Sequence, residues 1–173
     1  MIKHHPTFEL IQAFVNGDLP ASLSAAIAIH ADMCPKCQQQ IAQLTDQVAE
    51  ASFEEAFLDR FIVNEQEETS SFDDMIDLIT QSNDIIATKP SIEKTVTFNN
   101  KPYVLPQALH SMTLGKAVNI GKLSRSRIQL NENEIHTSLL QIQPGGGVPE
   151  HTHKGNEFTL VMDGSFSDLA GSY

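Results

Sequence analysis

The stretch His30-Ala-Asp-Met-Cys34-Pro-Lys-Cys37 (residues 30–37) contains both cysteines of the chain, and a histidine precedes the first of them by one helical turn. Thiols separated by two residues can face one metal ion, and the histidine can reach the same ion. Three interpretations are open: a metal site, a redox-active dithiol, and a helix junction that buries two small apolar side chains.

Both flanks of this stretch have a helical pattern. Upstream, residues 21–34 are rich in alanine, and Leu23, Ile27 and His30 share one face of the predicted helix. Downstream, Pro35 suits the first turn of a helix, where its missing N–H needs no partner. A thioredoxin-like dithiol is disfavoured, because that motif lies next to a strand in a βαβ unit.

Besides residues 21–34, three segments of the first half predict helices, and the one downstream of the cysteine stretch is among them. The first ends at Gly17, the second starts at Pro35, and the third begins after Ser71, a candidate N-cap. The polar residues 63–71 predict a linker before that last helix. The apolar positions that define the first two are Phe8, Ile11, Phe14, Val15, Cys37, Ile41, Leu44 and Val48.

The second half has an alternating pattern. Residues 94–105 predict a hairpin that turns at Asn99-Asn100-Lys101, and strand patterns also occupy residues 124–130, 135–144 and 156–169. The sequence therefore predicts an α+β chain of two domains, a helical bundle over residues 1–88 and a β domain over residues 89–173.

A zinc site takes about four ligands, commonly cysteine and histidine. His30, Cys34 and Cys37 are three candidates. His4 and His5 lie just before the first helix, and an antiparallel first helix would return them to the end of the second. These two histidines favour the metal interpretation over simple packing and over a redox pair.

A histidine followed 25 positions later by His-x-x-x-Cys-x-x-Cys, on short helices, resembles the zinc-binding anti-sigma domain, and the leading His-His pair resembles its ChrR group. The resemblance covers roughly residues 1–85. It implies a helical bundle that binds an extracytoplasmic-function (group IV) sigma factor and blocks its access to RNA polymerase and promoter DNA. It also implies one structural zinc with the ligands His5, His30, Cys34 and Cys37.

A second cluster of metal-ligand types lies in residues 145–164, with the spacing Gly-x5-His-x-His-x3-Glu-x6-Gly. Residues two apart in a strand face the same side, so His151 and His153 point together, and Glu157 can complete one face of an ion. Two imidazoles and a carboxylate suit zinc, iron, manganese or nickel.

This spacing resembles the first cupin motif and implies a cupin-type β-barrel or jelly roll. Cupins normally add a fourth ligand, a histidine from a second motif further on. No histidine follows His153, and the sequence stops at Tyr173. We therefore expect an incomplete barrel, truncated at its C-terminal end, whose metal site lacks a ligand. His136, on the preceding strand, is a candidate substitute.

The charge of the chain is acidic, with 22 acidic and 11 basic residues and a net charge of −11. Phosphate backbones repel such a chain, so we expect no direct nucleic-acid binding; the charge suits solubility or a basic protein partner. No apolar run approaches the ~20 residues that span a bilayer, and the N-terminus lacks a secretory segment. We expect a cytoplasmic protein.

Two functions are compatible with these patterns. The first is a non-enzymatic, zinc-dependent anti-sigma factor in a 1:1 complex with a sigma factor, and the ChrR resemblance implies release by oxidative signals such as singlet oxygen. In it, residues 72–86 are either a clamp on the sigma factor or ordinary core. The second is a metal-dependent cupin oxygenase or isomerase with an accessory helical domain. The order of the two modules favours the first.

Overall fold

The computed structural model describes residues 2–63, 72–82, 93–132, 134–152, 154–169 and 171–173. Within them the helices come first: α1 (Phe8–Asn16), α2 (Ala21–Met33), α3 (Pro35–Val63) and α4 (Phe72–Gln81). Then follow β1 (Thr95–Phe98), β2 (Lys101–Val104), a short 3-10 helix (Gln107–Leu109), β3 (Thr113–Leu114), β4 (Val118–Ile120), β5 (Leu123–Gln129) and β6 (Thr137–Ile142). The predicted α+β order, helices before strands, is confirmed.

Backbone contacts divide the chain into two units, Met1–Thr45 together with Ile92–Tyr173, and Asp46–Ser91. The domain boundary predicted between residues 88 and 89 falls outside the described residues and stays a prediction. Of the linker predicted over residues 63–71, Val63 belongs to α3 and the remainder lies outside the described residues. None of the helices in the described ranges is long and apolar enough to cross a membrane.

Local sequence determines where α1 begins and ends and where α3 begins. The Leu10 N–H donates to the Thr7 hydroxyl, which caps the start of α1. α1 ends at Gly17, whose φ of 78° is left-handed and favours glycine. Pro35, predicted in the first turn of a helix, is the first residue of α3, and α3 continues as one helix to Val63.

α2 is buried on more than one side. Ala25 and Ile29 lie one turn apart and join a core cluster with residues of the strand region, namely Phe98, Leu105, Leu109, Ile128 and Leu139. Ile27 and His30 are also buried, and each residue along a helix is turned by about 100° from the last. α2 is therefore a core helix with apolar residues on several sides, and not one with a single apolar stripe.

The first two strands form the predicted hairpin. β1 and β2 pair antiparallel, with Phe98 opposite Lys101, so Asn99 and Asn100 alone make the turn. Their φ angles are 49° and 63°, which is the pair of left-handed residues that a type I′ turn requires. The Asn99 side-chain amide also donates to the Ser124 hydroxyl and to the Gln141 side-chain oxygen, both at 2.9 Å.

β5 is the centre of the second sheet. β6 pairs along one edge of β5, and β3 and β4 follow one another along the other edge. The inner face of β5 carries Ser124, Ser126 and Ile128, all buried, and the Ser126 hydroxyl donates to the Gly115 carbonyl at 2.7 Å. The strands do not close into a barrel within the described residues, which is consistent with an incomplete cupin-type domain.

The strand predicted over residues 156–169 is wrong. In this segment the only ladder contact among the described residues is an isolated bridge from Ser167 to Ser172. Leu160 and Met162 nevertheless pack against the core cluster. An alternating pattern carries no information about whether a partner strand lies alongside.

We expect Asn99→Ala to lower the free energy of unfolding by about 1–3 kcal/mol more than Asn100→Ala. Both changes place alanine at a left-handed φ, so both add similar strain. Only the first removes the two hydrogen bonds that join the hairpin to β5 and β6. Urea unfolding followed by far-ultraviolet circular dichroism measures the difference, and equal losses in the two variants would contradict the assignment.

Candidate metal centre

Four potential metal ligands converge at the first three helices. His5 precedes α1, His30 lies in the last turn of α2, and Cys34 and Cys37 flank the start of α3. Their ligand atoms all lie within 4.8 Å of one another, and the group could hold a metal ion. His5 Nδ1 is 3.5 Å from each sulfur, and the His5 and His30 rings meet edge to face with centroids 5.7 Å apart.

Three of the four side chains in the cluster are buried, and His5 lies on its exposed side. Cys34 and Cys37 are 4% and 1% exposed and His30 is 6% exposed. The two thiols share a small core with Ile11, against which Ile41 and Leu44 pack. Such apolar surroundings strengthen the attraction between thiolates and a cation. Both thiols are reduced and the cysteines form no disulfide.

The surroundings adjust the protonation of three of the four groups. Burial lowers the pKa of His30, and the nearby His5 lowers this pKa further, which favours the neutral imidazole. The Cys37 N–H hydrogen-bonds to the sulfur of Cys34 and lowers the pKa of that thiol, whereas burial raises the pKa of Cys37. Cys34 is therefore the thiol of the pair that gives up its proton more readily.

The donor set and its spacing fit zinc. Zinc binds sulfur at about 2.3 Å and imidazole nitrogen at about 2.0–2.1 Å, so a tetrahedral ion separates N and S by about 3.5 Å. This is the separation of His5 Nδ1 from both sulfurs. Nε2 of His30 is buried and has no hydrogen-bond partner among the described residues, which is costly unless a ligand satisfies it. Four protein ligands leave no position for water, so the ion would be structural.

The structure distinguishes the two histidines of the leading pair. His5 contacts both thiols. His4 is exposed, and its ring lies 4.7 Å from the ring of Tyr173. His5 is thus the member of the pair that joins the cluster, as the resemblance implied.

The second predicted metal site, His151, His153 and Glu157, stays a prediction. His153 lies outside the described residues. His151 and Glu157 are both exposed, and the Nδ1 of His151 donates to the Pro149 carbonyl at 2.8 Å. His136, the candidate substitute ligand, is exposed and accepts a hydrogen bond from Arg127 at 2.8 Å.

Two features of α2 were not predicted: the buried face formed by Ala25 and Ile29, and the contact of Ser22 with Glu132. The buried face has a signal in the sequence, because residues 21–33 are almost entirely apolar or small, which is typical of a helix buried on several sides. The contact with Glu132 has no such signal, because 110 residues separate its two partners.

Comparison with known proteins places these observations in context. This chain is similar to the anti-sigma-E factor ChrR of Cereibacter sphaeroides. The identity is 27% over 169 residues, which cover 96% of this chain and 73% of the relative. The similarity to ChrR thus includes the strand region as well as the helices. No family model and no solved structure matches the chain.

We expect His5→Ala to lower the zinc content of the purified protein well below one ion per chain, because the remaining set of three ligands no longer closes the coordination shell. His4→Ala is the matched control and should retain about one ion, since His4 lies outside the cluster. Elemental analysis after dialysis measures both. Equal zinc contents in the two variants would contradict the ligand assignment.

Proposed function

We propose that this chain is an anti-sigma factor that binds an extracytoplasmic-function sigma factor in a 1:1 complex and represses its transcription programme. The similarity to ChrR over 96% of the chain is the observation that carries the proposal. The cluster of His5, His30, Cys34 and Cys37 is a second observation that supports it, because these four side chains, which the anti-sigma resemblance implies as ligands, lie together in the structure. The protein would act as a cytoplasmic regulator and not as an enzyme.

In this proposal zinc is a structural ion held by the four clustered residues. It would tie the segment before α1 to the junction of α2 and α3, and so hold the helices in the arrangement that binds the partner. The proposal includes release of the sigma factor under oxidative signals such as singlet oxygen, as the ChrR resemblance implies.

The distribution of charge supports a basic protein partner. Residues 46–91 hold 12 of the 22 acidic residues and 2 of the 11 basic ones, which amounts to −10 of the net charge of −11. The rest of the chain is therefore almost neutral. A DNA-binding protein presents basic surface to phosphates, and a segment with this charge can cover such a surface and compete with DNA for it.

The same segment exposes large apolar side chains. In α3, Phe53 is 79% exposed, and in α4, Ile76 and Ile79 are 55% and 67% exposed. Ile76 and Ile79 are three residues apart and share one face of α4, beside the exposed Asp77. Apolar anchors with acidic neighbours suit an amphipathic helix that binds in a groove of a basic partner. We assign α4 as the clamp on the sigma factor.

The test of the function is co-expression with each extracytoplasmic-function sigma factor of the same genome, followed by size-exclusion chromatography and transcription in vitro. We expect a 1:1 complex with one of them, with about one zinc per chain, and loss of transcription from the promoters of that sigma factor. A chain that leaves transcription unchanged at saturating concentration would refute the proposal.

We expect Ile79→Ala to weaken sigma-factor binding about tenfold or more, since a buried anchor at an interface typically contributes more than 1 kcal/mol. Leu78→Ala is the matched control. Leu78 is 73% exposed, but it is turned by about 100° from Ile79 around the helix, so its removal should change affinity less than threefold. Titration calorimetry measures both, and unchanged affinity for Ile79→Ala would exclude this face of α4.

A further inference from the structure

α2 connects the strand region to the metal cluster. Ala25 and Ile29 pack into the core cluster that contains Ile128 of β5 and Leu139 of β6. His30, the next residue after Ile29, belongs to the metal cluster, and Cys34 directly follows the end of the helix. A displacement of α2 along or away from the sheet would therefore move two of the four candidate ligands.

The start of α2 is held by a residue of the strand region. Its N-cap position, Pro20, provides no side-chain hydrogen bond. Instead, the Ser22 N–H donates to a carboxylate oxygen of Glu132, in the loop after β5, at 3.3 Å. The first N–H groups of a helix lack partners within the helix, and a negative charge there is also favoured by the helix dipole. Glu132 does what a local cap would do, from a distant part of the chain.

This contact is enclosed. The second carboxylate oxygen of Glu132 and the hydroxyl of Ser22 are buried, and neither has a hydrogen-bond partner among the described residues. Hydrogen bonds in such surroundings are stronger than at an exposed surface. The contact can therefore hold the N-terminal end of α2 against the loop after β5, in addition to capping the helix.

We propose that Glu132 is a positioning residue for the metal centre, and that α2 couples the strand region to metal binding. The inference rests on the proposed zinc site. While Glu132 and the apolar contacts hold α2 on the sheet, His30 and Cys34 are kept near the other two ligands before an ion binds. Metal binding and docking of α2 then stabilise each other, because a coupling between two sites is reciprocal.

This coupling gives the strand region a route to the function proposed for the helices. An event that disturbs the loop after β5 would weaken the cap, loosen α2 and lower the affinity for the ion. Conversely, loss of the ion would loosen α2 from the sheet. No change in the ligands themselves is needed for either effect.

The experiment compares Glu132→Ala and Glu132→Gln with Glu134→Ala in the full chain. Glu134 is an exposed residue in the same loop, so its removal changes the charge equally and leaves the α2 contact intact. Zinc affinity is measured by competition with a chromophoric chelator. We expect Glu132→Ala to reduce the affinity about three- to tenfold, which corresponds to the loss of one helix cap. Glu132→Gln, which keeps an acceptor oxygen, should lose less, and Glu134→Ala should match the wild type.

Hydrogen exchange provides a readout that general destabilisation would not reproduce. In the wild type, removal of zinc should accelerate exchange of the amides in the first turns of α2, at residues 24–25. In Glu132→Gln, exchange at these amides should be faster than in the wild type both with and without zinc, while the β5 and β6 amides remain protected.

A zinc affinity of Glu132→Gln and Glu132→Ala equal to that of Glu134→Ala, or α2 exchange that is insensitive to zinc in the wild type, would overturn the coupling and leave the zinc site standing. A wild-type chain that binds no zinc would overturn both the site and the coupling. Should Glu132→Ala fail to fold, the comparison of Glu132→Gln with Glu134→Ala decides.

Discussion

The structure depends on the convergence of two thiols and two imidazoles at the junction between α2 and α3. Only Cys34 separates the end of α2 from the start of α3, so the two helices must change direction at this residue. Pro35 permits the abrupt start of α3, since it needs no hydrogen-bond acceptor in the first turn. His5 then joins the segment before α1 to the same point. Local geometry brings three of the four ligands together, and only the fourth requires tertiary structure.

A short bundle of this kind has little apolar area with which to stabilise itself. The core around the thiols contains Ile11 and the partly buried Ile41 and Leu44, and burial of such side chains contributes about 1.5–3 kcal/mol each. Structural zinc contributes about 10–16 kcal/mol in zinc-finger peptides. On this scale, an ion at the cluster would outweigh the apolar contacts around it, and the packing of α2 on the sheet would add to its effect.

The parts of the fold that could be predicted were those set by local chemistry. Gly17 at the end of α1, Pro35 at the start of α3 and Asn99-Asn100 in the hairpin each need a backbone conformation that their own residue type favours. The clustering of His30, Cys34 and Cys37 was predictable because they lie within eight consecutive residues, whereas His5 was assigned only from the family resemblance. The strand expected at residues 156–169 failed because pairing depends on a neighbour that the alternation does not encode. The contact between Ser22 and Glu132 was not predicted for the same reason, since no residue near Ser22 in the sequence indicates its partner.

The segregation of charge bears on how a regulator of this design could be controlled. The acidic residues are concentrated in 46–91, whereas the metal cluster and the sheet are in the nearly neutral remainder. For the proposed anti-sigma factor, electrostatic attraction to a basic partner and response to a signal would then reside in different parts of the sequence. By the proposed coupling, a change at the sheet would act on the metal cluster through α2 without altering the charge of residues 46–91. Under such an arrangement, a signal would change the lifetime of the complex more than the rate at which it forms, because the rate of encounter is governed by long-range charge.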